Sequence, residues 1–290
     1  YSKDQGFWSG AAGYADLGSG IALQPCHISR VGSTVKTFTA VTIMLLKEEG
    51  AIDLDDKVSK YLSTEQLQGL KSAPNATIRQ LLNHSSGIYN YIINSRFQTA
   101  SLNDLEKVWQ PDELLAYARG EEPAFDTGSD VGYSNTNYIL LGMIIEEITG
   151  QPFYKEFEER IFVPLDLTHT QFAAPDPVPD AIIQGYIDLY SNLNLVNSTY
   201  YSGWDYFTAD GGLISNSFDL AKFTRALFNG EILSSESLDE MLTWLTPSEP
   251  YEDGFPTDYG LGTFRISTAH GPAYIHSGDA IGYFASMVYF

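Results

Sequence analysis

Three short clusters in this chain combine residue types that can carry acyl-transfer chemistry. The first is Ser33-Thr34-Val35-Lys36. A serine and a lysine three apart on a helix share one face. In the first turn the serine lies in the positive field of the helix N-terminus, which favours developing negative charge. A lysine buried one turn on loses hydration, its pKa falls, and it can take the serine proton. The ordinary alternative is a capping serine and a solvated lysine. The neighbours weigh against it: Val35, Phe38, Val41, Ile43, Met44, Leu45 and Leu46 make the following helix apolar around much of its circumference. Such a helix is buried, and an unpaired charge on it is expensive.

The second cluster is Tyr133-Ser134-Asn135, just before a strong helix pattern. A phenol there can relay a proton between serine and leaving group. An amide can donate to a substrate carbonyl and also hold the lysine. The third is His276-Ser277-Gly278, followed by Asp279. A glycine on a strand allows a ligand or another backbone to approach closely. A histidine beside it supplies a donor or a positive charge near a bound anion.

The elements that must position these clusters can be read from periodicity and breakers. Residues 6–15 predict a strand. A helix follows from Ser33 to a C-cap at Gly50. Further helices are predicted over 78–83 with Thr77 as cap, and over 111–119, 136–149 ended by Gly150, 152–163, 217–228 and 235–245. The proline-rich 174–179 segment reads as a linker. Strands are predicted over 259–267, 271–276 and 281–290. Strands at both ends enclosing a helical block predict an α+β fold. Residues 1–32 and 205–290 would form an antiparallel sheet flanked by helices, with 33–204 as an inserted, mostly helical domain. The 6–15 and 281–290 strands are expected in one sheet, and the site in the cleft between domains. The apolar run 281–290 has no turn after it, so further elements, and a leader at the start, are expected outside this sequence.

Composition narrows the function classes. The chain has 290 residues, of which 43% are hydrophobic and only 18% charged, enough for a substantial core. A formal net charge of -21 repels phosphate backbones and anionic lipid, arguing against nucleic-acid and membrane-surface partners. No apolar run is long enough to span a membrane. Cys26 is the single cysteine, so no internal disulfide forms. The histidines His27, His84, His169, His270 and His276 lack metal-ligand spacing, and no metal or cofactor is implied. His84, in Asn83-His84-Ser85-Ser86-Gly87, reads as a structural hydrogen-bonder. Gly211-Gly212 lacks the pattern of a phosphate cradle.

Taken together and in order, the three clusters resemble the signature set of serine β-lactamases and penicillin-binding proteins. The resemblance is to the subgroup with Tyr-x-Asn and His-x-Gly, which includes class C β-lactamases, DD-carboxypeptidases, D-aminopeptidases and family VIII esterases. It extends through 81–88, 133–150 and 164–172 and covers nearly the whole chain. It implies acylation of Ser33 by an amide, lactam or ester carbonyl, with Lys36 and Tyr133 sharing the base and acid roles. It also implies that Asn135 orients the substrate, that the backbone N–H groups of Ser33 and Asp279 form an oxyanion hole, that His276 shapes the site opposite Lys36, and that Tyr206 is an aromatic wall. The expected protein is an exported monomer acting on a small-molecule or peptidoglycan-type substrate. A promiscuous carboxylesterase and a penicillin-binding sensor without turnover are the alternatives. One departure bears on specificity. Asp279 stands where the family often has serine or threonine, and Phe264 where some members carry an arginine, with Arg265 expected on the other face of its strand. This disfavours substrates with a free carboxylate and favours a D-amino-acid amide or an ester.

Overall fold

The computed structural model describes residues 1–2, 4–173, 178–201, 208–249 and 257–290. The elements run in chain order as β1 (Tyr14–Asp16), β2 (Ile21–Ala22), β3 (Ser29–Arg30), α1 (Val35–Glu48), α2 (Ile78–Leu82), α3 (Ser95–Asn103), α4 (Pro111–Leu115), α5 (Asn135–Thr149), α6 (Phe153–Phe157), β4 (Gln171–Phe172), β5 (Tyr186–Ile187), β6 (Val196–Asn197), β7 (Leu213–Ser215), α7 (Ser217–Phe228), α8 (Ser235–Met241), β8 (Thr257–Tyr259), β9 (Phe264–Thr268), β10 (Gly271–Ala280) and β11 (Tyr283–Tyr289). The fold is thus the mixed helix and antiparallel-sheet architecture expected. Among the described residues, no helix is long and apolar enough to cross a membrane.

The C-terminal strands form an antiparallel sheet in the order β11-β10-β9-β8. A second small sheet, β3-β7-β4, ends one strand at Arg30, three residues before Ser33. β10 pairs with β9 only as far as Ile275, opposite Phe264, but with β11 through Ala280. Residues 276–280 therefore run on past β9. Along this overhang the period of two places His276 and Gly278 on the buried face and leaves Asp279 exposed.

The N-terminal strand differs from expectation. Residues 14–16 pair only with 21–22, in a two-stranded sheet separate from the one holding 283–289. Gly6 and Gly13 take positive φ, which breaks an extended run, and Trp8 is 85% exposed. The stretch 6–13 has aromatic and small residues but no buried face to pair through.

α1 is buried nearly all round, as its sequence requires: Val35 through Met44 and Leu46 are covered. It packs on α5, α6 and α8. Phe38, fully buried, stacks on Phe223 of α7 at 3.7 Å and meets Phe162 edge-on at 6.0 Å. This ring joins the helix that carries Lys36 to a helix flanking the C-terminal sheet. α2 begins with a full capping box between Thr77 and Gln80, and α5 ends at Gly150 with φ +73.

Phe38→Ala should lower stability by about 3–5 kcal/mol, the range for deleting a buried aromatic ring. A urea titration checks this. A loss below about 1 kcal/mol would show that the ring does not join the two helices.

Candidate active site

Lys36 is fully buried and its Nζ is surrounded by oxygen. It donates to Ser33 Oγ at 2.9 Å, Asn135 Oδ1 at 2.8 Å and the Asp210 carbonyl at 2.6 Å. An ammonium has a proton for each acceptor. A neutral amine keeps two N–H groups for Asn135 and Asp210 and turns its lone pair to the Ser33 hydroxyl, so the same geometry accommodates a base. Ser33 sits in a 3₁₀ turn, Gly32–Thr34, that leads into α1, and it is partly exposed. It is the reachable member of the pair.

Asn135 opens α5 and is itself held. Asn90 Oδ1 accepts from the Asn135 backbone N–H at 3.1 Å and from its amide at 3.4 Å. That orientation turns Asn135 Oδ1 toward Lys36. Asn90 also donates to the Tyr133 carbonyl at 3.3 Å. The Tyr133 ring lies 5.1 Å from Lys36 Nζ, measured to its centroid, and is fenced by His84 at 4.5 Å, Phe264 at 6.2 Å, and Tyr259 and His276 at 6.4 Å each.

His84 secures this turn from below. Its carbonyl accepts from Gly132 N–H at 3.0 Å and its Nδ1 from Ser134 N–H at 3.1 Å, one residue to either side of Tyr133. It does so from a left-handed backbone, φ +58, a strained conformation that the surrounding contacts must hold. This agrees with the structural role expected of His84.

The third cluster meets the first through backbone. A Cβ on Gly278 would collide with the Val31 carbonyl and Ser33 N, and one on Gly32 with the Asp279 backbone. Only two facing glycines allow the overhang of β10 to lie against the turn carrying Ser33. Ser33 N and Asp279 N are thereby brought to either side of one contact.

His276 is 2% exposed, and its pKa is lowered to about 3, first by burial and then by the charge of Lys36. Of the two expected roles, donor or positive charge, burial favours that of a neutral imidazole. Tyr206 lies outside the described residues.

Sequence reasoning missed Asn90, Tyr259 and Asp210. Asp210 is buried directly before Gly211-Gly212. Its carbonyl receives Lys36, its Oδ2 accepts from Tyr91 at 3.2 Å, and burial raises its carboxyl pKa against the pull of Lys36. The only signal for any of these was a charged residue placed beside a glycine pair.

A profile of the Beta-lactamase family matches residues 1–290. The chain belongs to the β-lactamase family. Penicillin-binding protein 4* of Bacillus subtilis is 28% identical over 95% of this chain and 61% of its own length. This β-lactamase-family chain thus spans about three fifths of that relative. Among solved structures, the D-stereospecific amidohydrolase from a Streptomyces species is 36% identical, with a TM-score of 0.80 over 88% of this chain and 76% of that one. The D-amino acid amidase of Ochrobactrum anthropi SV3 is 26% identical, with a TM-score of 0.78 over 96% of this chain and 80% of that one.

The buried histidines make stability depend on pH. His276 is held near 3 and His84 well below 6.5, burial being the larger cause for both. Unfolded, each protonates near 6.5, so below about pH 6.5 the unfolded chain binds protons that the native one refuses, for His276 down to about 3. Stability should fall as pH drops through that window, by up to about 1.4 kcal/mol per unit for each histidine. Asp210, with its pKa raised, acts in the opposite sense and loses its contribution as pH rises. Comparing urea midpoints of wild type and His276→Gln between pH 7 and 5 isolates the first effect. The variant should show the shallower slope, and equal slopes would mean that His276 is protonated in the native state.

Proposed function

We propose that the protein hydrolyses uncharged amides or esters of D-configured acyl groups through an acyl-enzyme on Ser33. Lys36 takes the serine proton, sharing acid and base work with Tyr133. Asn135 orients the substrate, and the N–H groups of Ser33 and Asp279 hold the oxyanion. The observation that carries the catalytic part is the hydrogen bond between Lys36 Nζ and Ser33 Oγ inside a fully buried amine shell. The same reading takes the chain as an exported monomer acting on a small-molecule or peptidoglycan-type substrate.

The substrate class is supported by charge. Phe264 turns toward Tyr133 and His276, whose ring it meets at 5.2 Å. Arg265, its neighbour, pairs with Asp258 at 2.6 and 2.9 Å and lies over Trp244, on the other face of β9. With His276 neutral and Asp279 exposed on the β10 overhang, a substrate carboxylate meets repulsion in place of a partner. The likeness to two relatives named for D-specific amide hydrolysis points the same way.

Two unit charges about 4 Å apart cost on the order of 1–4 kcal/mol at water-like to surface-like dielectric, or roughly one to three decades in rate. A D-amino acid amide or neutral p-nitrophenyl ester should therefore exceed its matched free-carboxylate substrate in kcat/KM, and Asp279→Thr should narrow the ratio while Asp279→Glu keeps it. An unchanged ratio in Asp279→Thr would remove the electrostatic argument and restore the carboxypeptidase and β-lactamase readings.

A further inference from the structure

Beneath the site, His84, Tyr259 and His276 form one buried chain. His84 Nε2 lies 3.1 Å from Tyr259 Oη, which lies 3.4 Å from His276 Nε2. His276 Nδ1 lies 2.8 Å from the Ser277 carbonyl. Its proton positions follow from its two ends. His84 Nδ1 accepts from the Ser134 backbone N–H and from the Asn137 amide, so the proton of neutral His84 is on Nε2 and points at Tyr259. At the other end the Ser277 carbonyl can only accept, so the proton of neutral His276 is on Nδ1 and its Nε2 is a bare acceptor. The Tyr259 hydroxyl receives from His84 and must give its own proton onward. Tyr138 Oη is also within its reach, but Tyr138 gives its proton to the Leu82 carbonyl at 2.8 Å, and a phenol oxygen is a weaker acceptor than an imidazole nitrogen.

We propose that Tyr259 is a positioning residue that holds the His276 ring by donating to its Nε2 and, through the His276–Ser277 hydrogen bond, fixes the Ser277-Gly278-Asp279 backbone against Ser33. Ser277 links that imidazole to Gly278, whose contact with Ser33 N tolerates no Cβ. A relaxed His276 ring releases the carbonyl that precedes this contact, and the Asp279 N–H loses its aim. The inference rests on the reading of Asp279 N–H as an oxyanion donor. A hydrogen bond to a bare imidazole nitrogen moves its ¹⁵N resonance upfield, so the held ring has its own spectroscopic signature.

Long-range ¹H–¹⁵N spectra of the ¹⁵N-histidine-labelled protein, with His276→Gln used for assignment, read the tautomer directly. Wild type should show His276 protonated on Nδ1. Tyr259→Phe, which keeps the ring and removes the hydroxyl, should leave Nδ1 protonated but move the Nε2 resonance downfield to that of an unbonded ring nitrogen, with kcat toward a neutral ester falling about 10- to 100-fold and KM changing less than about threefold. A wild-type Nε2–H pattern, an Nε2 resonance unmoved in Tyr259→Phe, or a moved resonance with full kcat would each overturn the proposal. Should Tyr259→Phe fail to fold, the tautomer and the Nε2 resonance of wild type carry the test: Nε2–H, or the resonance of an unbonded Nε2, would overturn the proposal. The tautomer readout stands even if Ser33 proves not to be acylated, which separates this inference from the functional reading.

Discussion

A lysine side chain with no exposure to water must find its solvation inside the protein, and the site is organised around that requirement. A lone buried ammonium would lose several kcal/mol of hydration. Here the three acceptors come from three separate parts of the chain: Ser33 from the turn before α1, Asn135 from the start of α5, and the Asp210 carbonyl from the segment before β7. Packing α1 against α5 and the β7 segment is thus tied to one amine. Each acceptor also has a chemical use, so the stability of this core and the activation of the serine rest on the same contacts.

Charge around that amine is kept low by exclusion. The two imidazoles nearest to it are buried and neutral, and burial pushes the Asp210 carboxyl toward its neutral form. The aromatic rings of Tyr133, Tyr259 and Phe264 fill the remaining space. With little competing charge, a proton moving between Ser33, Lys36 and Tyr133 feels mainly the fixed dipoles around it, the condition under which preorganised donors are most effective. The second constraint is steric: Gly32 and Gly278 let two backbones touch where any side chain would part them.

The legible part of this arrangement is local. Ser33 and Lys36 are one helical turn apart, so their meeting is a matter of i and i+3. The apolar surround of Lys36 could be counted along α1. Gly50 and Gly150 marked helix ends because both take positive φ. α7 was readable to the residue because its apolar face is regular and Asn216 caps it. α3 was not, since Phe97 and Ser101 are its only buried residues and leave almost no period to detect. Asn90, Tyr259 and Asp210 act through partners between 45 and 175 positions away. Nothing in their immediate neighbours signals that. The choice between donor and charge at His276 stayed open for a related reason: burial decides it, and burial is a tertiary property.

The central claim is that the hydroxyl held by Lys36 is the nucleophile. Acid-quenched mass spectrometry tests it most directly, after brief incubation with a neutral p-nitrophenyl ester and digestion. The account predicts a mass increase equal to the acyl group on the peptide containing Ser33, and none in Ser33→Ala. Acylation of a different residue, or a Ser33→Ala protein that still gains the acyl mass, would contradict it.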